Sequence, residues 1–332
     1  MNDFPFNLYC LGGLGACLIT VILTPIWIRL SRRLELTDHP GHRKIHHHPM
    51  PLAGGPAILS SLVCLILIGI ICVSTEMLPS VVSGKLALAL SDRGSQLTVL
   101  FCGATGMFLL GLIDDLHTLT PSIKFAGQVL AAVVTAFSGI QIELFIQSEI
   151  IQFLVTVLWI LTLTNAFNFI DNMNGLCSGV AAICIWSLAW TASVSGQYLV
   201  AAFSFAVFGC FLGFLPFNFP KAKSFLGDSG SHLTGYLVAV LAVMSDYYSP
   251  FNRVSLSVLN PLLILSVPLI DLIWVVLIRF RLKKPFYIGD INHISHRLVR
   301  RGFSPRTTVL VIWLCGAASG TLSIYWPAFF QN

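Results

Sequence analysis

Apolar and polar residues alternate along this 332-residue chain in long blocks. Each apolar block is long enough, or nearly long enough, for a helix to cross about 30 Å of hydrocarbon. A membrane β-barrel would need short segments of alternating hydrophobicity instead. We therefore predict an all-α, polytopic membrane protein of about ten transmembrane helices, with a single domain over residues 1–332. The predicted spans are residues 6–30, 52–74, 95–113, 122–139, 149–168, 175–195, 197–216, 231–248, 254–280 and 307–330.

Composition and charge give these spans an orientation. The chain is 56% hydrophobic and 10% charged, which excludes an ordinary soluble domain. Sixteen of its 19 Lys and Arg residues lie in or beside the odd-numbered loops between spans. The positive-inside rule then makes those loops cytoplasmic and puts both termini outside. We expect residence in the inner or plasma membrane, with residues 75–94 as the longest external loop and 281–306 as the longest cytoplasmic one.

Compact polar clusters interrupt the apolar blocks, and all of them fall at predicted cytoplasmic ends. Ionisable residues beside lipid are costly, so they point to function by default. Their convergence on one face predicts an active site at the cytoplasmic membrane surface. The one-sided positive charge suits anionic lipids and anionic substrates, and we expect no nucleic-acid partner. The clusters are residues 38–44, 114–115, 165–174, 227–230 and 290–301.

Two of the clusters are built around carboxylates. Asp114 and Asp115 are neighbours on a predicted helix, so they point about 100° apart and can serve different partners. A solvated helix end is the alternative, although it would place negative charge at the unfavourable end of the helix dipole. Asp228, between glycines at the start of a span, suits a Mg²⁺ ion. Its alternative is a simple helix cap by Asp228 or Ser229.

The cluster after the fifth apolar run is rich in amides. Asn165, Asn168, Asp171, Asn172 and Gly175 would occupy an arc of about 120° if they continued one helix. Asn side chains both donate and accept hydrogen bonds, which suits a ribose, a uracil edge or a sugar amide. They also join helices in membranes, and helix packing is the alternative interpretation.

The last cluster combines histidine and arginine. Arg forks suit phosphate oxygens. If this loop were helical, one face would carry Asp290, His293, His296, Arg297, Arg300 and Arg301. Zinc bound through the His-x-x-His spacing is one alternative, but no cysteine or third histidine lies near. The other alternative is that the positive charge serves only to set the membrane topology.

Taken in order, the clusters resemble the motifs of the polyprenyl-phosphate N-acetylhexosamine-1-phosphate transferases. This resemblance implies transfer of a sugar phosphate from a UDP-N-acetylhexosamine to a polyprenyl phosphate such as undecaprenyl phosphate, with release of UMP, to initiate a cell-envelope glycan. The matching motifs are Asp38-x-Pro40-x-x-Arg43-Lys44-x-His46, Gly111-x-x-Asp114-Asp115, Asn165-x-x-Asn168-x-x-Asp171-x-x-x-Gly175, Gly227-Asp228-Ser229-Gly230 and Asp290-x-x-His293-x-x-His296-Arg297-Leu298.

The resemblance also implies roles for individual residues. The catalytic residues would be Asp114, Asp115 and Asp171, with the Asp pair activating the lipid phosphate and organising the metal site. Asp228 and Asp171 would bind Mg²⁺, or Mn²⁺ in its place. Substrate binding would fall to Arg43, Lys44, His46, Lys124, Asn165, Asn168, His293, His296 and Arg297.

Two residues depart from the family pattern. The last motif usually reads His-x-His-His, and Ser295 replaces the middle histidine; Asn174 stands where an Asp is common. We expect Ser295→Ala to reduce kcat/KM much less than His296→Ala does. The loop looks closer to the branch that begins O-antigen, teichoic acid or similar glycans than to the muramoyl-pentapeptide branch.

Three questions stay open at the level of sequence. The rival function is a transporter or flippase of an anionic polyprenyl lipid, which would carry ionisable residues near the bilayer midplane rather than at span ends. A scaffold without activity would have lost the motif carboxylates, and all four are retained. Direct transfer and a covalent aspartyl-phosphate at Asp115 both fit the motifs, and a homodimer is a further expectation.

Overall fold

The computed structural model describes residues 6–40, 48–75, 80–143, 146–247, 255–285 and 291–325. These residues form twelve α-helices, one small hairpin and a short 3₁₀ helix at Ser255–Leu259. The hairpin strands are β1 (Thr37–Asp38) and β2 (Met50–Pro51). The helices are α1 (Phe6–Arg33), α2 (Gly54–Ser74), α3 (Ser80–Leu116), α4 (Pro121–Phe137), α5 (Glu149–Ile170), α6 (Leu176–Val194), α7 (Tyr198–Asn218), α8 (Gly227–Met244), α9 (Asn260–Ile264), α10 (Ser266–Arg281), α11 (Ile294–Arg300) and α12 (Pro305–Tyr325).

The prediction of an all-α, polytopic membrane protein is confirmed. Among the described residues, seven helices are long and apolar enough to cross a membrane, and an eighth span results if α9 and α10 are joined across their 66° bend. Each of the ten predicted runs coincides with a helix or with this bent pair. Helix α4 has only 17 residues, and the 18-residue α8 begins with a polar turn, so both have a shorter apolar stretch than an ordinary span. The count of ten crossings therefore stays a prediction.

One loop prediction is wrong. Residues 75–94 were expected to form an external loop, but α3 begins at Ser80 and continues without a break to Leu116. The reason lies in local propensity, because residues 86–90 alternate Leu and Ala, which are among the strongest helix formers. The prediction of a loop rested on polar residues and loop formers in this stretch, although scattered charges are fully compatible with a helix; these residues are Glu76, Pro79, Gly84, Lys85 and Asp92.

Helix α8 lies at the centre of the bundle and determines where the site can be. Nearly all of its residues are buried, and it packs between α3 and α5. Gly235 permits the close approach of α5, because a Cβ at this position would lie 2.5 Å from the Cα of Thr164. Small residues have this role in membrane helix pairs generally. The close packing holds the first turn of α8, and Asp228 with it, against the ends of its neighbours.

The segment before α2 is attached to the segment before α8. Ser224 Oγ accepts the N–H of Ala53 at 3.0 Å and donates to the carbonyl of Pro51 at 2.9 Å. Gly54 cannot carry a side chain, because its Cβ would lie 2.7 Å from the Cα of Leu226. The stretch near residue 50 is therefore an ordered turn region, which its Pro and Gly residues favour. It brings the hairpin to the end of the bundle where α8 begins.

The two ends of the bundle differ in chemistry. The carboxyl ends of α3 and α5 and the amino ends of α4 and α8 meet at one end, where their polar side chains contact one another. At the opposite end, Arg93 forms an ion pair with Asp246 at 2.9 Å and donates to the carbonyl of Met244 at 3.0 Å. The clusters at residues 114–115, 165–174 and 227–230 thus share one face, as predicted.

Candidate active site

Asp228 is the residue on which the other predicted site residues converge. Lys124 Nζ lies 3.1 Å from Asp228 Oδ2 and also pairs with the carboxylate of Asp114. Asn168 Nδ2 donates to Asp228 Oδ1 at 2.7 Å and to Ser231 Oγ at 2.9 Å. Four helices, α3, α4, α5 and α8, therefore contribute to one polar cluster that the motifs alone place far apart in sequence.

Asp115 caps the helix that carries Asp228. Its Oδ1 accepts the backbone N–H of Asp228 at 2.8 Å, and its Oδ2 accepts that of Ser229 at 3.0 Å. The sequence suggested a cap from Asp228 or Ser229 as the alternative to a metal ligand, but the cap in the structure is the Asp115 carboxylate, an anion at a helix start. Gly227 adopts φ +77°, and a Cβ there would lie 2.9 Å from Asp115 Oδ2, so both backbone and space favour glycine.

Asp114 fixes the turn between α3 and α4. Its carboxylate is buried, with 8% of the residue exposed, and Oδ1 accepts the N–H of Leu119 at 2.7 Å. The same carboxylate pairs with Lys124 one turn into α4. Asp114 and Asp115 thus do different things, as their angular separation predicts: one holds the lysine and the other holds α8.

Asp171 differs from both, because no hydrogen-bond or ion-pair partner for its carboxylate occurs among the described residues. Helix α5 ends at Ile170, so the single arc predicted from Asn165 to Gly175 is interrupted, and Gly175 turns the chain with φ +75°. Within the described part of the chain, the Asp171 carboxylate accepts no hydrogen bond. Burial, together with the charges of Asp228 and Asp115, raises the pKa of Asp171 to about 8. A carboxylate in this position lacks a counter-charge.

The donor set fits an oxygen-seeking divalent cation. The described residues include no group of three His, Cys, Asp or Glu side chains that could hold a metal ion. A zinc site needs such a group, so the zinc interpretation of His293 and His296 has no support among these residues. Mg²⁺ commonly uses one or two protein carboxylates and completes its shell with phosphates and water. Asp171 and Asp228 provide such a pair, and the missing counter-charge at Asp171 is what a cation would supply.

Part of the predicted histidine and arginine loop forms α11, and the side chains of three of its residues contact the bundle. His293 Nδ1 lies 2.6 Å from Asp271 Oδ2 on α10. Ser295 Oγ donates to Asn172 Oδ1 at 2.7 Å. The guanidinium of Arg297 stacks 4.8 Å from the ring centre of Trp274.

Asp271 is the site residue that the sequence analysis missed. It lies within an apolar run, and no motif drew attention to it. A signal existed nevertheless, since a lone carboxylate inside a predicted span is functional by default.

Asn165 and Asn174 make contacts within the protein, and four other predicted residues lie outside the described ranges. Asn165 Nδ2 donates to Gln128 Oε1 and to the carbonyl of Leu161, both at 2.8 Å, which are the contacts expected of its helix-packing alternative. Asn174, a departure from the family pattern, is exposed and donates to the carbonyl of Pro220 at 3.4 Å. The predicted substrate ligands Arg43, Lys44 and His46, together with Asp290, lie outside the described residues.

Comparison of the sequence with known proteins identifies the family to which this chain belongs. The glycosyl transferase family 4 model matches residues 97–246, which include Asp114, Asp171 and Asp228. A probable undecaprenyl-phosphate N-acetylglucosaminyl 1-phosphate transferase of Bacillus subtilis is 34% identical over 308 residues, which cover 90% of this chain and 79% of the relative. A decaprenyl-phosphate N-acetylglucosaminephosphotransferase of Mycobacterium leprae is 31% identical over 340 residues, which cover 93% of this chain and 81% of the relative.

A more distant relative represents the other branch considered from the sequence. A phospho-N-acetylmuramoyl-pentapeptide-transferase of Anoxybacillus flavithermus is 28% identical over 333 residues, covering 93% of this chain and 95% of the relative. The N-acetylglucosamine relatives are the more similar of these, which agrees with the form of the histidine loop. The chain therefore belongs to the polyprenyl-phosphate N-acetylhexosamine-1-phosphate transferases of glycosyl transferase family 4.

Proposed function

We propose that this protein transfers N-acetylglucosamine-1-phosphate from UDP-N-acetylglucosamine to a polyprenyl phosphate, giving the lipid diphosphate sugar and UMP. The observation that carries the proposal is the polar cluster around Asp228 at one end of the membrane helices, with an uncompensated carboxylate at Asp171 beside it. A diphosphate donor and a membrane-bound phosphate acceptor can both reach such a cluster. The names of the relatives support the choice of sugar and of lipid.

Asp228 and Asp171 are the residues that would hold Mg²⁺, with Mn²⁺ as a substitute. A bound Mg²⁺ would neutralise charge on the donor diphosphate and stabilise the departing UMP. Asn168 keeps the Asp228 carboxylate in a fixed orientation through its amide N–H. Asp115 keeps the backbone of Asp228 in place. The protein thus orients its metal-binding carboxylate from two sides.

The remaining residues position phosphates and compensate their charge. Phosphoryl transfer asks the protein mainly for alignment and electrostatic stabilisation, since the transition state is loose. Lys124, held by Asp114, brings positive charge to the centre of the cluster. Arg297, stacked on Trp274, brings a second positive charge from the α11 side. The lipid phosphate oxygen bonds to the β-phosphorus as the bond from that phosphorus to the UMP oxygen breaks.

Direct transfer is the route that the geometry favours over a covalent intermediate at Asp115. Both carboxylate oxygens of Asp115 accept backbone N–H groups of α8. A nucleophilic attack by Asp115 would remove this cap during each turnover. In the proposed reaction Asp115 therefore organises the metal site, which is one of the two roles that the family resemblance implies for the Asp pair.

We place the reaction at the cytoplasmic face of the inner or plasma membrane, because most Lys and Arg residues lie on the side of the cluster. The product would begin a cell-envelope glycan such as O-antigen or teichoic acid.

The test is incubation of purified protein with undecaprenyl phosphate, Mg²⁺ and a panel of UDP-sugars, with UMP release as the readout. UMP should appear only with both substrates, and most rapidly with UDP-N-acetylglucosamine. Asp228→Asn should reduce the rate at least tenfold, because a charged metal ligand contributes several kcal/mol. Asp246→Asn is the matched control, since Asp246 forms an ion pair at the opposite end of the bundle. Translocation of the lipid without UMP release would favour the flippase instead.

A further inference from the structure

A buried carboxylate–histidine pair lies beside the proposed site. Asp271 on α10 and His293 before α11 are 5% and 4% exposed. Asp271 Oδ2 lies 2.6 Å from His293 Nδ1, and Asp271 Oδ1 accepts the backbone N–H of Ile294 at 2.7 Å. A buried carboxylate in an apolar helix is costly without partners. Both of its oxygens are directed at the residues that begin the histidine loop.

The pairing determines which nitrogen of His293 carries hydrogen. A carboxylate accepts hydrogen bonds, so the Nδ1 atom of His293 must donate to it. Nε2 is then the nitrogen left for another partner, and it makes no hydrogen bond to any residue that the structure describes. A hydrogen bond from one ring nitrogen to a carboxylate fixes both the tautomer and the orientation of an imidazole. His232 differs, because its Nε2 is fully buried as well as unpaired.

The pair is connected to the proposed catalytic cluster through Phe169. The ring of Phe169 meets the His293 ring edge-on with centroids 6.1 Å apart. Phe169 follows Asn168, which holds Asp228, and lies two residues before Asp171. The end of α5 therefore contacts the His293 ring through Phe169 and the Asp228 carboxylate through the preceding residue, Asn168. Among the residues that the structure describes, the charged or titratable groups in contact with the ring are Asp271 and His296, and Arg279 stacks 4.9 Å from the Phe169 ring.

We propose that Asp271 is a positioning residue that holds His293 as the Nδ1–H tautomer and so presents Nε2 to the donor sugar nucleotide. This inference rests on the proposed function. Asp271 does not touch the substrate; it acts through His293. The same carboxylate holds the backbone of Ile294, so the ring and the start of α11 are fixed together.

The first measurement compares Asp271→Asn with the unaltered protein in the UMP assay. An asparagine of the same size keeps an acceptor for Ile294, but its amide N–H₂ can face Nδ1 and favour the wrong tautomer. We expect kcat with UDP-N-acetylglucosamine to fall about 10–100-fold, while the KM for lipid stays within about twofold. Ser266→Ala is the matched control. It removes a side-chain hydrogen bond of the same helix, but that bond is to Ser319 on α12 at 3.0 Å and not to His293. This control should retain activity.

A second measurement separates positioning through His293 from a general structural role. In a His293→Gln background, Asp271→Asn should cause little further loss, because residues that act through one another are not additive. The ¹⁵N spectrum of histidine-labelled protein should show His293 protonated at Nδ1, with the signal assigned by its loss in His293→Gln. In Asp271→Asn the proton should move to Nε2.

The outcomes distinguish this inference from the proposed function. If the unaltered protein releases no UMP with any donor, the proposed function fails, and the tautomer measurement still tests the pair. If the unaltered protein is active and Asp271→Asn is equally active, the inference is overturned. It is also overturned if His293 in the unaltered protein carries hydrogen at Nε2 and not at Nδ1. This last measurement needs no variant of Asp271, so it remains decisive even if Asp271→Asn does not fold.

Discussion

The carboxylate of Asp115 caps the helix whose first turn carries Asp228, through hydrogen bonds of 2.8 and 3.0 Å to consecutive backbone N–H groups. The two residues are 113 positions apart in sequence. One side chain therefore stabilises the central helix and sets the position of the proposed metal ligand at once. This relationship separates the roles of the adjacent aspartates more clearly than their motif does.

Asp115→Ala is expected to weaken both the fold and metal binding. Loss of the two charge-assisted hydrogen bonds should lower the free energy of unfolding by about 1–3 kcal/mol. It should also weaken Mn²⁺ binding, because the first turn of α8 is no longer held. Thermal unfolding in detergent and Mn²⁺ titration by electron paramagnetic resonance would measure the two effects. Unchanged values for both would contradict the capping role, and Asp246→Ala controls for loss of a carboxylate elsewhere.

Asp171→Asn should have opposite effects on stability and activity. The Asp171 carboxylate is partly buried among other negative charges, so a neutral amide of the same size should raise the melting temperature of the metal-free protein by a few degrees. The same change should abolish UMP release, since one of two cation-binding carboxylates is lost. A variant that is both less stable and fully active would show that Asp171 has a structural role only. Functional sites often carry this kind of trade-off.

Ser295 makes a structural contact that the sequence did not reveal. The prediction that Ser295→Ala reduces kcat/KM much less than His296→Ala stays a prediction. The structure adds that Ser295 is 2% exposed and donates to Asn172 Oδ1 at 2.7 Å. Ser295→Ala should leave the Asn172 carbonyl oxygen unpaired and cost about 1–3 kcal/mol of stability. Ser295→His should be worse, because a larger ring must enter a closed space. A double-mutant cycle with Asn172→Ala would measure the coupling, and a coupling energy near zero would contradict this role.

The orientation of the bundle can be tested by cysteine labelling. In a background without the nine native cysteines, Lys221→Cys and Arg301→Cys lie on the side of the proposed site and should be protected from an impermeant external reagent. Thr75→Cys and Asp92→Cys lie on the opposite side and should react. All four positions are exposed, so burial does not limit the reaction. The reverse pattern would overturn both the topology and the cytoplasmic site.

The fold was largely predictable because the membrane restricts the choice of structure. Backbone in hydrocarbon must satisfy its own hydrogen bonds, so long apolar runs become helices. The position of Asp114, Asn168 and Asp228 on one face followed from the parity of the spans. The early start of α3 at Ser80 did not, because hydropathy alone cannot distinguish a charged helix extension from a loop.

The details of the site depended on contacts between distant segments. Nothing in the Gly-Asp-Ser-Gly motif indicates that Asp115 provides its cap, since this requires α3 and α8 to be packed together. Asp271 was overlooked because it stands alone in an apolar run, and its partner His293 comes 22 residues later. The turn between α5 and α6 likewise makes a contact with a distant segment, because Gly175 donates its N–H to Asn218 Oδ1 at 2.9 Å.

The central claim is that a sugar phosphate, and not the sugar alone, moves to the lipid. The most direct measurement uses UDP-N-acetylglucosamine labelled with ³²P in the β-phosphate, incubated with the purified protein, undecaprenyl phosphate and Mg²⁺. Attack at the β-phosphorus predicts that the label appears in the lipid fraction while unlabelled UMP is released in equal amount. Label that remains in the aqueous phase as UDP, with sugar on the lipid, would contradict the account.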